Sequence, residues 1–159
     1  QGPWARSNPV TTKRIIDAAN ALRGQLTIVW LVMNYETQKN NAPLLGGDAT
    51  PLLPEDDHYR VAFQPDPRDW VVSKTRRDGF SNNELPDFLD HHDISRIHMG
   101  GFRTAQCVFD TAVSAAMGRR VSLLSDLTSN GGDRAPSEND LHNFTRRGIT
   151  LADCSILGL

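Results

Sequence analysis

Two residues of this chain are well suited to chemistry, and each directly follows a predicted strand. Cys107 lies at the start of a predicted helix, after an apolar strand and the Gly100-Gly101 pair. A helix N-terminus favours thiolate over thiol and can hold an oxyanion. Lys74 ends another apolar strand, where an ammonium group can stabilise a nearby thiolate or transfer a proton. Each residue also has a plain structural interpretation, the cysteine as a small buried apolar side chain and the lysine as a solvated one.

Helices and strands alternate along almost the whole sequence. The run Leu26 to Met33 is apolar apart from Thr27 and does not alternate with polar residues, which is typical of a strand covered on both faces. The alternation predicts a three-layer α/β/α fold, with a doubly wound and mostly parallel sheet that binds its ligand at the carboxyl ends of the strands. The predicted helices are 11–23, 83–91, 105–117 and 137–147, and the predicted strands are 26–33, 70–73, 96–99, 119–125 and 149–151.

The composition predicts one soluble domain. The chain has 159 residues, enough for a single sizeable core. Its 17 basic and 19 acidic residues give a formal net charge of −2, so neither nucleic acid nor an anionic membrane is expected as a partner. No apolar run approaches the ~20 residues that span a bilayer. Cys107 and Cys154 do not make a secreted disulfide framework, so we expect a cytoplasmic protein in which Cys154 is structural.

Two motifs at a fixed separation resemble those of the isochorismatase-like cysteine hydrolases. The segment KTRRDGF, from Lys74 to Phe80, resembles the family signature K-x-R-x-S-[AG]-F. The segment GFRTAQCV, from Gly101 to Val108, is followed by Thr111 and resembles G-[VI]-x-T-x-x-C-V-x-x-T-A. The order of the remaining helices and strands also fits, so the resemblance covers nearly all of the chain.

The resemblance implies a cysteine hydrolase that cleaves an amide, ureido or related bond of a small molecule. Cys107 would be the nucleophile and Lys74 would stabilise its thiolate and help to transfer protons. The backbone N–H groups of Arg103 and Cys107 would form the oxyanion hole, beside a cis peptide bond between Phe102 and Arg103. Relatives commonly form dimers or tetramers, so a homo-oligomer is expected.

Three side chains are candidates for contact with the substrate: Phe80, Arg77 and Phe102. Arg77 would favour a carboxylate on the substrate if it points into the pocket, and is otherwise a solvated loop residue. Asp78 stands where the family usually has serine. The residues themselves do not indicate which small molecule is bound.

The third member of the family's catalytic triad has no counterpart in this sequence. That aspartate lies in a D-x-Q motif at the end of the first, central strand, and this chain opens with Gln1 where that motif would just have ended. We therefore expect a single domain, 1–159, that is N-terminally truncated and lacks its first central strand. Glu36 is a weaker candidate for a substitute acid. An alternative is a catalytically impaired relative that acts as a binding or assembly module.

No metal or cofactor is expected. The stretch Asp56-Asp57-His58 does not have the spacing of the Asp and His cluster found in nicotinamidase-like relatives, and no two histidines of the chain pair at ligand spacing. Glycine-rich loops that bind nucleotide phosphates do not occur either.

Overall fold

The computed structural model describes residues 5–33 and 65–159, which form alternating helices and parallel strands. The strands are β1 (Val29–Met33), β2 (Trp70–Lys74), β3 (Arg96–Phe102), β4 (Arg120–Ser129) and β5 (Thr150–Ala152). The helices are α1 (Pro9–Leu22), α2 (Glu84–His91), α3 (Phe109–Ala116) and α4 (Glu138–Thr145). A π-helical turn, Thr104–Val108, leads into α3, and a 3₁₀ helix, Cys154–Leu157, follows β5. Each predicted helix and strand is present, with ends shifted by a few residues.

Every pairing between these strands is parallel. β1 pairs with β2 from Val29 opposite Trp70 to Met33 opposite Lys74. β3, β4 and β5 form a second sheet in that order, with an irregularity in β3 between Met99 and Gly101. The prediction of a mostly parallel α/β fold is confirmed.

Helices cover both faces of the β3–β4–β5 sheet. Leu123 of β4 packs with Ala112 of α3 and Phe144 of α4, all completely buried. The next residue, Leu124, points to the opposite face and packs with Ala18 of α1. Because successive strand residues alternate between faces, β4 contributes to two cores. A third apolar cluster joins α2 to Val72 of β2. The three-layer arrangement predicted from the element order is therefore present.

The start of α1 differs from the prediction, which began this helix at residue 11. The helix begins at Pro9 with Asn8 as its N-cap. The N–H groups of Val10 and Thr11 donate to the carboxylate of Asp133, at 3.1 and 2.8 Å. A carboxylate more than a hundred residues away thus replaces the local cap, which no local pattern could indicate. At α4, by contrast, the cap is local: Ser137 caps the helix in a reciprocal capping box with Asp140.

β3 runs three residues further than predicted, through Gly100 and Gly101 to Phe102, so that its end reaches the turn before Cys107. Gly100 lies against β4, where a Cβ atom would be 2.7 Å from the carbonyl oxygen of Leu127. Only glycine permits this close approach of the two strands. No helix among the described residues is long and apolar enough to cross a membrane.

Candidate active site

Lys74 is the last residue of β2, and its side chain is almost fully enclosed, with 4% exposed. Its ammonium group donates a hydrogen bond to the carbonyl oxygen of Arg77, in the loop that follows. Burial lowers the pKa of Lys74, and the negative charges of Cys107, Asp78 and Asp110 partly offset that effect. A buried lysine of lowered pKa at the carboxyl end of a parallel strand is a candidate proton donor and acceptor.

Cys107 lies in the π-helical turn that leads into α3 and is half-buried. Single π-helical turns are rare and often occur at functional sites. Its carbonyl oxygen accepts a hydrogen bond from the Thr111 hydroxyl at 2.7 Å. The Arg77 carbonyl oxygen, which accepts a hydrogen bond from the Lys74 ammonium group, also lies 3.5 Å from the Thr111 hydroxyl oxygen, so Lys74 and the Cys107 turn meet at one place. The structure therefore brings together the two residues that the sequence analysis selected.

Thr111, in α3, links the turn that holds Cys107 to the loop that follows Lys74, residues 75–83, called the lysine loop below. The Thr111 hydroxyl donates a hydrogen bond to the Cys107 carbonyl oxygen and accepts one from the N–H of Gly79 at 2.9 Å. Thr111 is 2% exposed, so this double hydrogen bond is shielded from water. A Cβ atom on Gly79 would lie 2.8 Å from Leu31 Cδ1 and 2.9 Å from Thr111 Cγ2, so the loop packs tightly at this point. Thr111 thus connects the backbone at Cys107 to the loop that follows Lys74.

Replacing Thr111 with valine should lower the free energy of unfolding by about 1–3 kcal/mol, because the Gly79 N–H would stay buried without a partner. Thr145→Val is a matched control. The Thr145 hydroxyl also donates to a backbone carbonyl, that of His142 at 2.9 Å, but on an exposed surface. The control should cost within about 0.5 kcal/mol. Urea unfolding measures both; equal losses would show that the buried link has no special role.

The turn before Cys107 is held by the carboxyl end of β4. The peptide bond between Phe102 and Arg103 is cis, as the family resemblance implies. The Thr104 and Thr128 hydroxyl oxygens lie 2.8 Å apart, and Thr128 donates to the Gly101 carbonyl at 2.8 Å. Together these bonds fix the backbone on either side of Arg103.

Asn130 supplies a second support for the same turn. Its side-chain oxygen accepts the N–H of Ala105 at 2.9 Å, and its amide donates to Asp140 at 2.8 Å. The sequence analysis did not identify Thr128 or Asn130 as positioning residues. The only signal was their location at the carboxyl end of a predicted parallel strand, where such sites form.

Two charged residues of the lysine loop, Arg77 and Asp78, each contact a side chain of α3. Arg77 forms an ion pair with Asp110, Nε to Oδ2 at 3.1 Å, with about half of the arginine side chain exposed. Asp78 accepts hydrogen bonds from the Phe80 N–H at 2.9 Å and the Ser114 hydroxyl at 2.7 Å. The aspartate that replaces the usual serine therefore fastens the loop to α3. Arg77 lies at the exposed rim of the candidate active site.

The two aromatic candidates for substrate contact are both half-buried. Phe80 packs against the core clusters on both sides, and the guanidinium of Arg119 lies 5.9 Å from its ring centroid. Phe102 is the last residue of β3, next to the cis bond. Phe80 thus has a clear packing role, whatever it contributes to a ligand.

Cys154 lies apart from this site and is held by a carboxylate. Its thiol donates to Asp126 Oδ2 at 2.9 Å, and its N–H donates to Oδ1 at 3.0 Å. The hydrogen bond to Asp126, followed by burial, raises the pKa of Cys154. Arg14 neutralises the same carboxylate at 3.0 Å. These contacts support the structural role predicted for Cys154.

Several candidates of the sequence analysis lie outside the described residues: Glu36, Gln1 and the stretch Asp56-Asp57-His58. Within residues 5–33 and 65–159, no three His, Cys, Asp or Glu side chains are grouped so as to hold a metal ion. Among those residues, the carboxylates that act on Lys74 are those of Asp78 and Asp110.

A parallel α/β fold with a buried lysine and a half-buried cysteine at one end of its strands is the architecture of a family of small-molecule hydrolases. The family model for the isochorismatase domain matches residues 5–154, and the chain belongs to this family. A search of curated protein sequences gave no match.

Solved structures support the same fold. The chain is similar to an N-carbamoylsarcosine amidase from Thermoplasma acidophilum, with 21% identity and a TM-score of 0.70, covering 97% of this chain and 86% of that one. It is similar to an isochorismatase family protein from Desulfovibrio vulgaris, with 20% identity and a TM-score of 0.73, covering 96% and 85%. It also resembles a nicotinamidase from Staphylococcus aureus, with 20% identity and a TM-score of 0.61, covering 89% and 83%.

Proposed function

We propose that this protein is a cysteine hydrolase that cleaves a C–N bond of a small amide or ureido compound through a covalent intermediate on Cys107. The observation that carries the proposal is the joint placement of Lys74 and Cys107: Thr111 bonds to the Cys107 carbonyl and to Gly79, in the loop that follows Lys74. A buried lysine beside a cysteine supplies the charge that a thiolate needs and the proton that a leaving amine needs.

The first half of the proposed reaction forms the intermediate. The Cys107 thiolate attacks the carbonyl carbon, a C–S bond forms, and the carbonyl electron pair moves onto oxygen. The proposed donors to this oxyanion are the backbone N–H groups of Arg103 and Cys107, on either side of the supported turn. When the tetrahedral species collapses, the C–N bond breaks and the leaving nitrogen takes a proton from the Lys74 ammonium. A thioester remains on Cys107.

The second half restores the enzyme. Water gives a proton to the neutral Lys74 amine and attacks the thioester carbon. The C–S bond breaks, the acid product leaves, and the Cys107 thiolate is regenerated. The burial that lowers the pKa of Lys74 supports this role, because it makes the ammonium a better acid. Asp78 and Asp110 supply the compensating negative charge near the lysine.

The substrate class is proposed from chemistry shared with the named relatives. One similar structure is an amidase for N-carbamoylsarcosine and another is a nicotinamidase, and both act on small C–N compounds. We therefore propose a first panel of small primary amides and ureido acids, nicotinamide and N-carbamoylsarcosine included. Release of ammonia or amine is the direct measurement. Arg77, at the rim, would select panel members that carry a carboxylate.

Alkylation by iodoacetamide tests the proposal without knowledge of the substrate. Near neutral pH, Cys107 should react at least about tenfold faster than Cys154, and faster than the free thiol of N-acetylcysteine. Both cysteines are half-buried, so exposure alone does not favour one of them. Peptide mass spectrometry after short exposures gives the two rates.

The free thiol is the necessary reference, because the contact with Asp126 by itself slows Cys154. A Lys74→Met variant should reduce the rate at Cys107 and leave Cys154 unchanged. If Cys107 reacts no faster than N-acetylcysteine and does not respond to Lys74→Met, the thiolate is not activated. That result would favour the binding or assembly module over the enzyme.

A further inference from the structure

A second polar site lies at the opposite end of the sheet from Cys107. A cavity of about 250 Å³ is lined by side chains from the amino-terminal halves of β3 and β4, by β5 and by the 3₁₀ helix. Arg96 and Phe102 are the two ends of β3, and six strand steps separate them by roughly 20 Å. The cavity is therefore distinct from the candidate active site.

The floor of this cavity is made of hydrogen-bond donors from three neighbouring strands. Arg96 pairs in register with Arg120, His98 with Ser122, and Ser122 with Thr150. Register partners point to the same face of a sheet, so these five side chains converge. Their face is opposite to that of Ile97, which packs against the α3–α4 core. Val121, which belongs to that core, and Gly148 complete the lining of the cavity.

Charge in the cavity is uncompensated. Arg96 and Arg120 lie side by side on adjacent strands, an arrangement of like charges that is unfavourable without a counterion. In the part of the chain that the structure describes, neither guanidinium forms an ion pair, and no carboxylate lines the cavity. Both side chains are exposed, so their donors are available to a ligand that brings acceptors into the cavity.

His98 is a third nitrogen-bearing side chain in the lining of the cavity. Its Nδ1 atom is buried and has no hydrogen-bond partner among the described residues. Buried polar atoms in proteins are nearly always paired, so this nitrogen is an exception, and the ring can accept or donate according to its tautomer. Burial, and then the charge of Arg96, lower the pKa of His98. Among the described residues, the charged groups that line the cavity with it are Arg96 and Arg120.

We propose that this cavity binds a small oxyanion, with a phosphate group as its best-matched ligand. Two guanidinium groups can hold phosphate oxygens in pairs, and the Ser122 and Thr150 hydroxyls and the His98 ring add further donors. Ile156, 59% exposed at the margin of the cavity, offers an apolar contact to an organic group attached to the phosphate. The site is independent of the proposed hydrolase reaction.

Calorimetric titration with inorganic phosphate at fixed ionic strength tests the site, with added KCl as the salt control. Wild-type protein should bind phosphate, and Arg96→Gln and Arg120→Gln should each weaken binding by roughly tenfold or more. Phenyl phosphate should bind more tightly than inorganic phosphate if Ile156 contacts the organic group. The matched control is Arg146→Gln at the end of α4, which replaces another exposed arginine and should bind like the wild type.

An NMR pH titration of His98 provides a readout within the cavity. Bound phosphate should raise the pKa of His98, because a dianion stabilises the imidazolium. His142, on α4 away from the cavity, is the internal reference. The proposal is overturned if phosphate and KCl have the same effect on His98, or if all three arginine variants bind phosphate equally well. Arg96 and Arg120 are exposed, so their variants should fold, which far-UV circular dichroism verifies.

Discussion

Replacing Cys107 with serine should reduce hydrolysis by on the order of 10⁴-fold or more, because serine keeps the shape of the side chain but is a far weaker nucleophile at neutral pH. The carbonyl of residue 107 would still accept the Thr111 hydroxyl, since that bond involves only the backbone. The fold and the thermal unfolding midpoint should therefore change little. The measurement is kcat/KM on the panel member that the wild type hydrolyses fastest.

Cys154→Ser is the matched control for this substitution. Serine at position 154 can still donate to Asp126, as the thiol does in the wild type at 2.9 Å. Activity of this control should stay near that of the wild type. Incubation with substrate followed by mass spectrometry adds a direct test, since an acyl adduct should form on Cys107 and never on Cys154. If the Cys107→Ser variant retained full activity, the nucleophile would have to be another group.

Replacing Lys74 with methionine should lower kcat/KM by about 10²–10⁴-fold, the usual contribution of a positioned acid or base. Methionine has a similar length and fills the enclosed space without an ammonium group. Burial of the ammonium group is itself unfavourable, and its removal offsets the loss of the hydrogen bond to the Arg77 carbonyl. The expected combination is a strong loss of activity with no loss of folding free energy, which separates a role in chemistry from a role in packing.

The pH dependence of stability gives a second signature of Lys74. Its pKa is lower in the folded chain than the ordinary value of 10.5, chiefly because of burial. Between the folded pKa and that ordinary value, the unfolded chain binds more protons than the folded chain. The free energy of unfolding of the wild type should therefore rise with pH through this window.

The Lys74→Met variant should lack that rise. Urea unfolding of both proteins at several alkaline pH values measures the difference, and Lys13→Met on the exposed face of α1 is the control. Parallel curves for wild type and Lys74→Met would show that the lysine titrates as if exposed. Unchanged kcat/KM in Lys74→Met would independently remove it from the proposed reaction.

The sequence by itself determined the order of the elements and the position of both candidate catalytic residues along them. The apolar run from Ile28 to Met33 indicated a strand covered on both faces, because such a strand tolerates that pattern, and β1 is half-buried along its length. Lys74 follows such a run and Cys107 follows a glycine pair, so strand ends and helix starts could be located from local residues alone. The spacing of the two motifs then indicated the family.

Only the tertiary structure decided how those residues are supported. Thr111 joins Gly79 to Cys107, and Asp133 caps a helix whose first residue is Pro9. The pairing of Arg96 with Arg120 likewise depends on which strands are neighbours. Such contacts join segments far apart in the chain. The entropy cost of closing a loop rises only slowly with its length, so distance along the chain does not exclude a partner. Local patterns therefore do not distinguish one distant partner from another. Packing selects the partners, because each buried donor and acceptor must find one.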